Sequence, residues 1–350
     1  MRHCGLRASF STIAEADRWV IHDPRAWLGT AFHKVIATIR QTGATEEAAA
    51  LWDEATAAAL AKAFTHPLDA RFSVKERWPN YYIMRQRCLS SASQINVSRA
   101  PAGSSSSNSE KRFEARGGKL TGIPDHYRNG VITEYKSTLP DPAWPGAASL
   151  LEAYKRQVFL YAVIIHEVFG NWPSKGVIVG ASGQTIDITI SPEECEAEAD
   201  AAVEALDAFN NALSSATSPA ELAKPSAQAC GTCPYQLLCP AFWANLSPDV
   251  FGEIPHHAAQ GQLKQIDSGS ESDIYHLHLS NSAASRPVEN FQTLTLRRSI
   301  HGKPDHDAVG QKCLIKNAII RDDRQIRADM YTVVVVERKL PSLQLSACDR

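Results

Sequence analysis

The sequence predicts a mixed α/β domain over residues 1–245, followed by a small all-β, barrel-like domain over residues 250–350. Three observations predict it. In the first part, helically periodic and alanine-rich stretches alternate with short extended runs, the pattern of a sheet flanked by helices. Past residue 250, DIYHLHLS, FQTLTLRRSI, KCLIKNAII and YTVVVVERK are strand-like runs separated by polar, Gly- or Asp-containing breaks. The chain of 350 residues is also long enough for two domains, each with a buried core.

The elements follow in order. Residues 26–65 read as helical, because EEAAALWDEATAAALAKAF favours that state and Trp27, Leu28, Ala31, Phe32, Val35 and Ile36 recur at helical spacing. PAGSSSSNS at 101–109 is low in complexity and reads as a loop. KRFEARGGKLTGIPDHYRNGVITEYKS then holds short strands broken at Gly-Gly and at Arg-Asn-Gly, both hairpin signals. After a loop at 140–145, apolar residues at three- and four-residue intervals predict a helix over 147–169. Residues 175–190 read as two strands around Gly183, and Ser191-Pro192 as the cap and first turn of another helix. SGSES at 268–272 reads as a turn in the β-rich part, and no fixed-period repeat is present.

Composition sets limits on function. Hydrophobic content of 44% and charged content of 21% are those of a soluble globular protein. No apolar run reaches the roughly 18 residues of a membrane span, and MRHCGLRASFSTI lacks the apolar core of a secretory signal. The expectation is a cytoplasmic protein with no membrane partner. A net charge of −2 argues mildly against a strong autonomous grip on long nucleic acid, where phosphate contacts dominate. It leaves room for a local basic groove, or for a partner that delivers the substrate.

The residues with chemistry in them begin at Gly122-Ile123-Pro124-Asp125 and continue, past a turn, at Glu134-Tyr135-Lys136. Alternate strand residues face one side, so Glu134 and Lys136 project together, and Asp125 can converge on them across the Asn129-Gly130 turn. Two hard oxygen ligands beside a lysine suit Mg²⁺ or Mn²⁺, an ion that can activate water and stabilise a departing oxygen. Lys136 would then orient the water or offset phosphorane charge. Taken alone the pattern is weak, since Pro-Asp is a common turn and a Glu-x-Lys pair is often a solvated one. The flanks add to it. Gln157 and Tyr161 lie four apart and share a helix face, and His33 sits on an otherwise apolar helix face.

In this order the motifs resemble the RecB-like branch of the PD-(D/E)XK nuclease superfamily: LGTAFH with His33, GIPD, EYK, then QVFLY with Gln157 and Tyr161. The resemblance covers residues 1–245 and implies a restriction-endonuclease-like core, a mixed sheet flanked by helices. By analogy His33, Asp125, Glu134 and the main-chain carbonyl of Tyr135 bind the metal. Lys136 is then catalytic with Asp125 and Glu134, and Gln157 and Tyr161 position DNA. Glu114 lies where relatives carry an accessory acid, and His126 follows Asp125 directly.

Of eight cysteines, Cys230, Cys233 and Cys239 form a C-x2-C-x5-C group needing a distant fourth ligand. Both zinc and iron–sulfur centres use four thiolates. AddB-type and CRISPR-associated iron–sulfur nucleases, which this arrangement resembles, place one cysteine before the histidine motif and three after the core. That implies a [4Fe–4S] cluster on Cys4, Cys230, Cys233 and Cys239, with Cys88 as rival fourth ligand and zinc as the lesser alternative. Cys195, Cys313 and Cys348 read as packing residues.

Two further stretches mix charge and aromatics. Arg77-Trp78-Pro79-Asn80-Tyr81-Tyr82, with Arg85 and Arg87, suits stacking of single-stranded bases, or equally a helix packing its rings. Arg297, Arg298, Lys316, Arg321, Arg324 and Arg327 scatter over the β-rich part, which could be an OB-like DNA-binding barrel or an interaction module. The chain has no G-x-x-x-x-G-K-[ST] loop, so unwinding would need a helicase subunit. The leading expectation is thus a metal-dependent DNA exonuclease acting on single strands or duplex ends. The alternatives are a catalytically idle DNA-binding or scaffold subunit of a helicase–nuclease complex, and a CRISPR-adaptation nuclease.

Overall fold

The computed structural model describes residues 4–95, 111–144, 146–247, 257–282, 290–320 and 325–341. The 101–109 stretch, Arg321, Arg324 and Cys348 lie outside the described residues. In chain order the helices are α1 Gly5–Phe10, α2 Ala14–Asp17, α3 Pro24–Thr42, α4 Ala48–Thr65, α5 Tyr81–Ile95, α6 Ala147–Phe169 and α7 Pro192–Ser215. The strands are β1 Phe113–Ala115, β2 Leu120–Gly122, β3 His126–Arg128, β4 Val131–Lys136, β5 Lys175–Gly180 and β6 Thr185–Thr189, followed by β7 His257–Ser268, β8 Ser272–Ser282, β9 Phe291–Arg297, β10 Lys312–Ile320, β11 Gln325–Arg327 and β12 Val333–Val336. The fold is mixed α/β with a β-rich C-terminal part, as the sequence predicts. The chain packs into two compact units: Pro24–Ala61 with Val74–Ala208, and Met1–Asp23 with Lys62–Ser73 and Phe209–Arg350.

In the first unit the sheet runs β3-β4-β5-β6. β3 and β4 form a hairpin whose Asn129 and Gly130 adopt φ of 52° and 75°, the left-handed pair that a tight two-residue turn requires. β4 and β5 are parallel, so the chain must cross over between them, and α6 is that crossover. Ile132 of β4 is fully buried beneath Phe159, Ala162, Val163 and Ile165 of α6 and Cys195 and Ala199 of α7. Each such aliphatic side chain contributes about 1.5–3 kcal/mol. This packing fixes α6 over one face of β4. On its buried stripe α3 presents Leu28, Phe32, Val35, Ile36 and Ile39.

Residues 26–65 are helical, as the sequence predicts, in two pieces: α3 and α4 are separated at Gly43, whose φ is 75°, and a short 3-10 turn follows. Alanine richness favours helix on both sides but cannot show where a left-handed residue interrupts it. The Arg77–Arg87 stretch is less of a stacking platform than its composition suggests. Trp78 and Tyr81 are buried against Trp27 and Trp52, and Arg85 lies beside Asp53, leaving Tyr82 exposed.

In the second unit β7, β8, β9, β11 and β10 pair in a closed ring, with β11 parallel to β9 and antiparallel to β10, and β12 added on β10. Closure removes the free edges of the five ring strands. Leu263, Leu277, Leu294, Cys313, Ile315 and Ile326 fill the interior. β10 can pair with both β12 and β11 because it bends at Asn317, where φ is 58° and its register against β7 shifts. The basic scatter is reduced by this packing: Lys316 is buried, and Arg298 holds Asp273 through two hydrogen bonds of 2.6 and 2.9 Å.

Candidate active site

Strand alternation puts Ile132, Glu134 and Lys136 on the α6 face of β4 and Tyr135 on the other. Continuing the β3–β4 register one residue past His126↔Thr133 sets Asp125 opposite Glu134. Asp125 is held at both oxygens. The Tyr135 N–H donates to Oδ2 at 2.6 Å, and His33 Nδ1 from α3 lies 3.1 Å from Oδ1.

On the other side Lys136 Nζ donates to Glu134 Oε1 and to Gln157 Oε1, both at 2.8 Å. Gln157 Nε2 donates to Glu134 Oε1 at 2.9 Å and to the Tyr161 hydroxyl at 2.8 Å, which itself donates to the Ile123 carbonyl at 3.2 Å. The motif residues His33, Asp125, Glu134, Lys136, Gln157 and Tyr161 therefore form one connected cluster. Glu114 does not join it. Its carboxylate is on the exposed side of β1, 3.5 Å from Arg112. His126 is kept neutral, its pKa pushed down to about 4 by burial and by Arg40 and Arg128.

The electrostatics are those of a site lacking positive charge. Glu134 is 3% exposed and its Oε2 has no hydrogen-bond partner among the described residues. Burial, then the Asp125 charge, pushes its pKa up to about 7 despite Lys136 and His33. Burial pulls His33 down, but the hydrogen bond to Asp125 and the charges of Asp125 and Glu134 outweigh it, so its pKa rises. An orphaned carboxylate oxygen between Asp125 and Lys136 is what a divalent cation would satisfy. His33 and Asp125 complete a nitrogen and oxygen donor set that fits such an ion.

Both raised pKa values mean that the folded metal-free protein binds protons the unfolded chain does not. The stability they contribute is therefore full below about pH 4.5 for Glu134 and falls as pH rises through about 7. In chelator, urea titrations should show the wild type losing stability across that window. Glu134→Gln should lose the part of the slope due to residue 134, and parallel curves for the two proteins would contradict this.

Sequence reasoning missed two contributors. Lys136 Nζ lies 4.8 Å from the ring centroid of Tyr154, which is one turn before Gln157 on α6. Arg40, two turns after His33 on α3, donates to the Tyr135 hydroxyl and packs over its ring. Helical spacing could have found both. Gly122, which opens the GIPD motif, gains a packing reason: a Cβ there would stand 2.8 Å from Tyr161 Cε1 and 3.0 Å from Ile164 Cδ1. Gly122→Ala should cost about 1–3 kcal/mol through this overpacking. Because Tyr161 must move, it should also slow any reaction at the site more than an alanine at Gly117, which bears backbone strain of its own at φ of 62° but meets no neighbouring side chain. Thermal melting and turnover of the two variants check this.

A family model of the PD-(D/E)XK nuclease superfamily matches residues 1–240. The chain belongs to that superfamily. No curated protein and no solved structure matches the chain. Members of the PD-(D/E)XK nuclease superfamily are typically metal-dependent nucleases, so the match implies a nuclease-type phosphodiesterase. No helix among the described residues is long and apolar enough to cross a membrane.

The structure also gathers the cysteines. Cys4, Cys230, Cys233 and Cys239 line one pocket with Phe10 and Phe242, and the Phe242 N–H donates to Cys239 Sγ at 3.3 Å. Burial, with smaller contributions from neighbouring thiols, pushes Cys239 up to about 12 and raises Cys230 and Cys233. Cys88 is buried in α5 within the other compact unit, where burial pushes it up to about 12.

Proposed function

We propose that this superfamily member hydrolyses phosphodiester bonds in DNA with Mg²⁺ or Mn²⁺, as an exonuclease on single strands or duplex ends in DNA repair, recombination or phage defence. The unpartnered, buried Glu134 Oε2 between Asp125 and Lys136 carries this reading. His33, Asp125, Glu134 and the Tyr135 main-chain carbonyl would hold the ion. A bound ion there would supply Lewis-acid polarisation and a water of lowered pKa. Lys136 places a positive charge where negative charge develops in the reaction, and Gln157 keeps its ammonium aimed by accepting from it. A cleft of about 400 Å³ lined by Thr121, Ile123, Gln157, Leu160 and Tyr161 gives a nucleotide room beside these groups. End-labelled single- and double-stranded DNA incubated with Mg²⁺, Mn²⁺ or chelator tests the reading. Shortening of labelled strands only with metal is expected, and intact DNA under all conditions would overturn it. The complete acid, acid and lysine set speaks against an idle scaffold subunit, which would not need it.

We also infer a [4Fe–4S] cluster on Cys4, Cys230, Cys233 and Cys239. Their gathering in one pocket supports a tetrathiolate centre, with zinc as the lesser alternative. Residues 1–245 would form the nuclease module, and residues 250–350 an OB-like module. The ring order and the parallel β9–β11 pair support the latter, as does Phe291, 65% exposed beside His278 on the outer face of β8 and β9. Such a ring is a surface for stacked single-stranded bases. The protein would act in the cytoplasm, with a helicase subunit supplying strand separation.

A further inference from the structure

A second group of metal-ligand residues lies away from the nuclease site, within the unit that contains the β-barrel. His22, His66 and Asp69 bring two imidazole nitrogens and a carboxylate oxygen within 4.8 Å of one another. Asp69 Oδ2 is 2.6 Å from His22 Nδ1 and 3.1 Å from His66 Nδ1. Asp69 is 1% exposed, and its other oxygen, Oδ1, has no hydrogen-bond partner among the described residues. The nearby Arg71 interacts with it only at Coulombic range.

Counting protons shows what is missing. His66 Nε2 lies 2.8 Å from the Asp17 carbonyl oxygen, an acceptor, so Nε2 carries the hydrogen. His66 Nδ1 accepts the Leu68 N–H at 3.3 Å, so in this arrangement it is bare. A bare nitrogen then faces a carboxylate oxygen at 3.1 Å, two acceptors with nothing between them. A cation resolves the repulsion. An imidazole whose outer N–H donates to a backbone carbonyl is also how metal-bound histidines are normally held and oriented.

We propose that His22, His66 and Asp69 bind a divalent transition-metal ion of the zinc type, distinct from both the nuclease ion and the cysteine-bound metal. Two imidazoles and one carboxylate suit that class. Ligands at ~2.1 Å in a tetrahedron stand about 3.4 Å apart. The His66–Asp69 gap therefore needs little adjustment, and the half-exposed His22 supplies the rest by retreating. Solvent on the His22 side completes the coordination. The ion would pin the segment ending α2 to the turn after α4, within one compact unit.

The test uses the full chain, stripped with chelator, loaded with Zn²⁺ and desalted, and compares wild type with the His22→Ala/His66→Ala double variant. Zinc on the cysteines or at Asp125 and Glu134 is common to both and cancels. The wild type should retain about one more equivalent per chain, the content of a single three-ligand site, and its X-ray absorption difference should show nitrogen and oxygen neighbours without sulfur. Equal zinc in the two proteins would overturn the proposal. Should the double variant fail to fold, histidine ¹⁵N spectra of the wild type decide. Zinc must shift the Nδ1 signals of His22 and His66, whereas a metal-insensitive doubly protonated His66 means that a proton fills the gap instead.

Discussion

Lys136→Ala is expected to lower the DNA cleavage rate by about 10²–10³-fold, the usual cost of removing one charge-stabilising donor from an active site. Its ammonium is fixed before substrate arrives by Glu134, Gln157 and the Tyr154 ring, so little of its effect is lost to reorganisation. Binding of DNA should be nearly unchanged, since one phosphate-facing charge is lost from many contacts. The variant carries a second signature in chelator: Lys136 holds the Glu134 pKa down, so its loss should push that carboxyl higher and move the pH window over which stability falls upward. Asp125→Ala should be more severe, because it removes an expected ligand and frees both His33 and the Tyr135 N–H. Rates on end-labelled DNA in saturating Mn²⁺, with thermal melts as folding control, check both. Wild-type cleavage by either variant would remove these residues from the mechanism.

The second large effect concerns the cysteines. Cys233→Ser should abolish the visible absorption and iron content of anaerobically purified protein, and lower its melting temperature by about 10 °C if the lost ligation is worth several kcal/mol. The reason is structural. Without a metal the pocket brings four thiols together, and burial pushes three of them toward the neutral form despite Arg7 and Lys316 nearby. Cys88→Ser should keep the colour. A colourless wild type with one zinc per chain would sink the cluster and leave the nuclease site untouched.

How much of this was legible in the sequence depended on the range of each signal. The bounds 147–169 matched α6 because its apolar stripe is periodic and Gly170, with φ of 78°, stops it. Asn129-Gly130 marked its hairpin through a local conformational demand. The candidate site residues were readable because strand alternation and helix spacing already put Glu134 with Lys136 and Gln157 with Tyr161. What joins the two pairs, the parallel β4–β5 pairing beneath α6, is a tertiary fact. The His22, His66 and Asp69 group was invisible for the same reason, since His66 and Asp69 are three apart but no local period links His22 to them. Burial of Trp78, Tyr81 and Lys316 likewise depended on neighbours that composition does not name.

One compact unit is assembled from Met1–Asp23, Lys62–Ser73 and everything after Phe209. This has a consequence for biosynthesis. Leu6 and Phe10 of α1 are buried with Leu222 and Leu238, and Cys4 meets the Leu222 carbonyl 218 positions on. Closing so long a span costs about 5 kcal/mol in chain entropy. At typical translation rates the N-terminal arm waits on the order of tens of seconds for its partners. The intervening Pro24–Ala61 and Val74–Ala208 can collapse meanwhile. A ribosome paused before residue 209 would thus display a sticky, unmated leading helix, a natural client for a holdase chaperone.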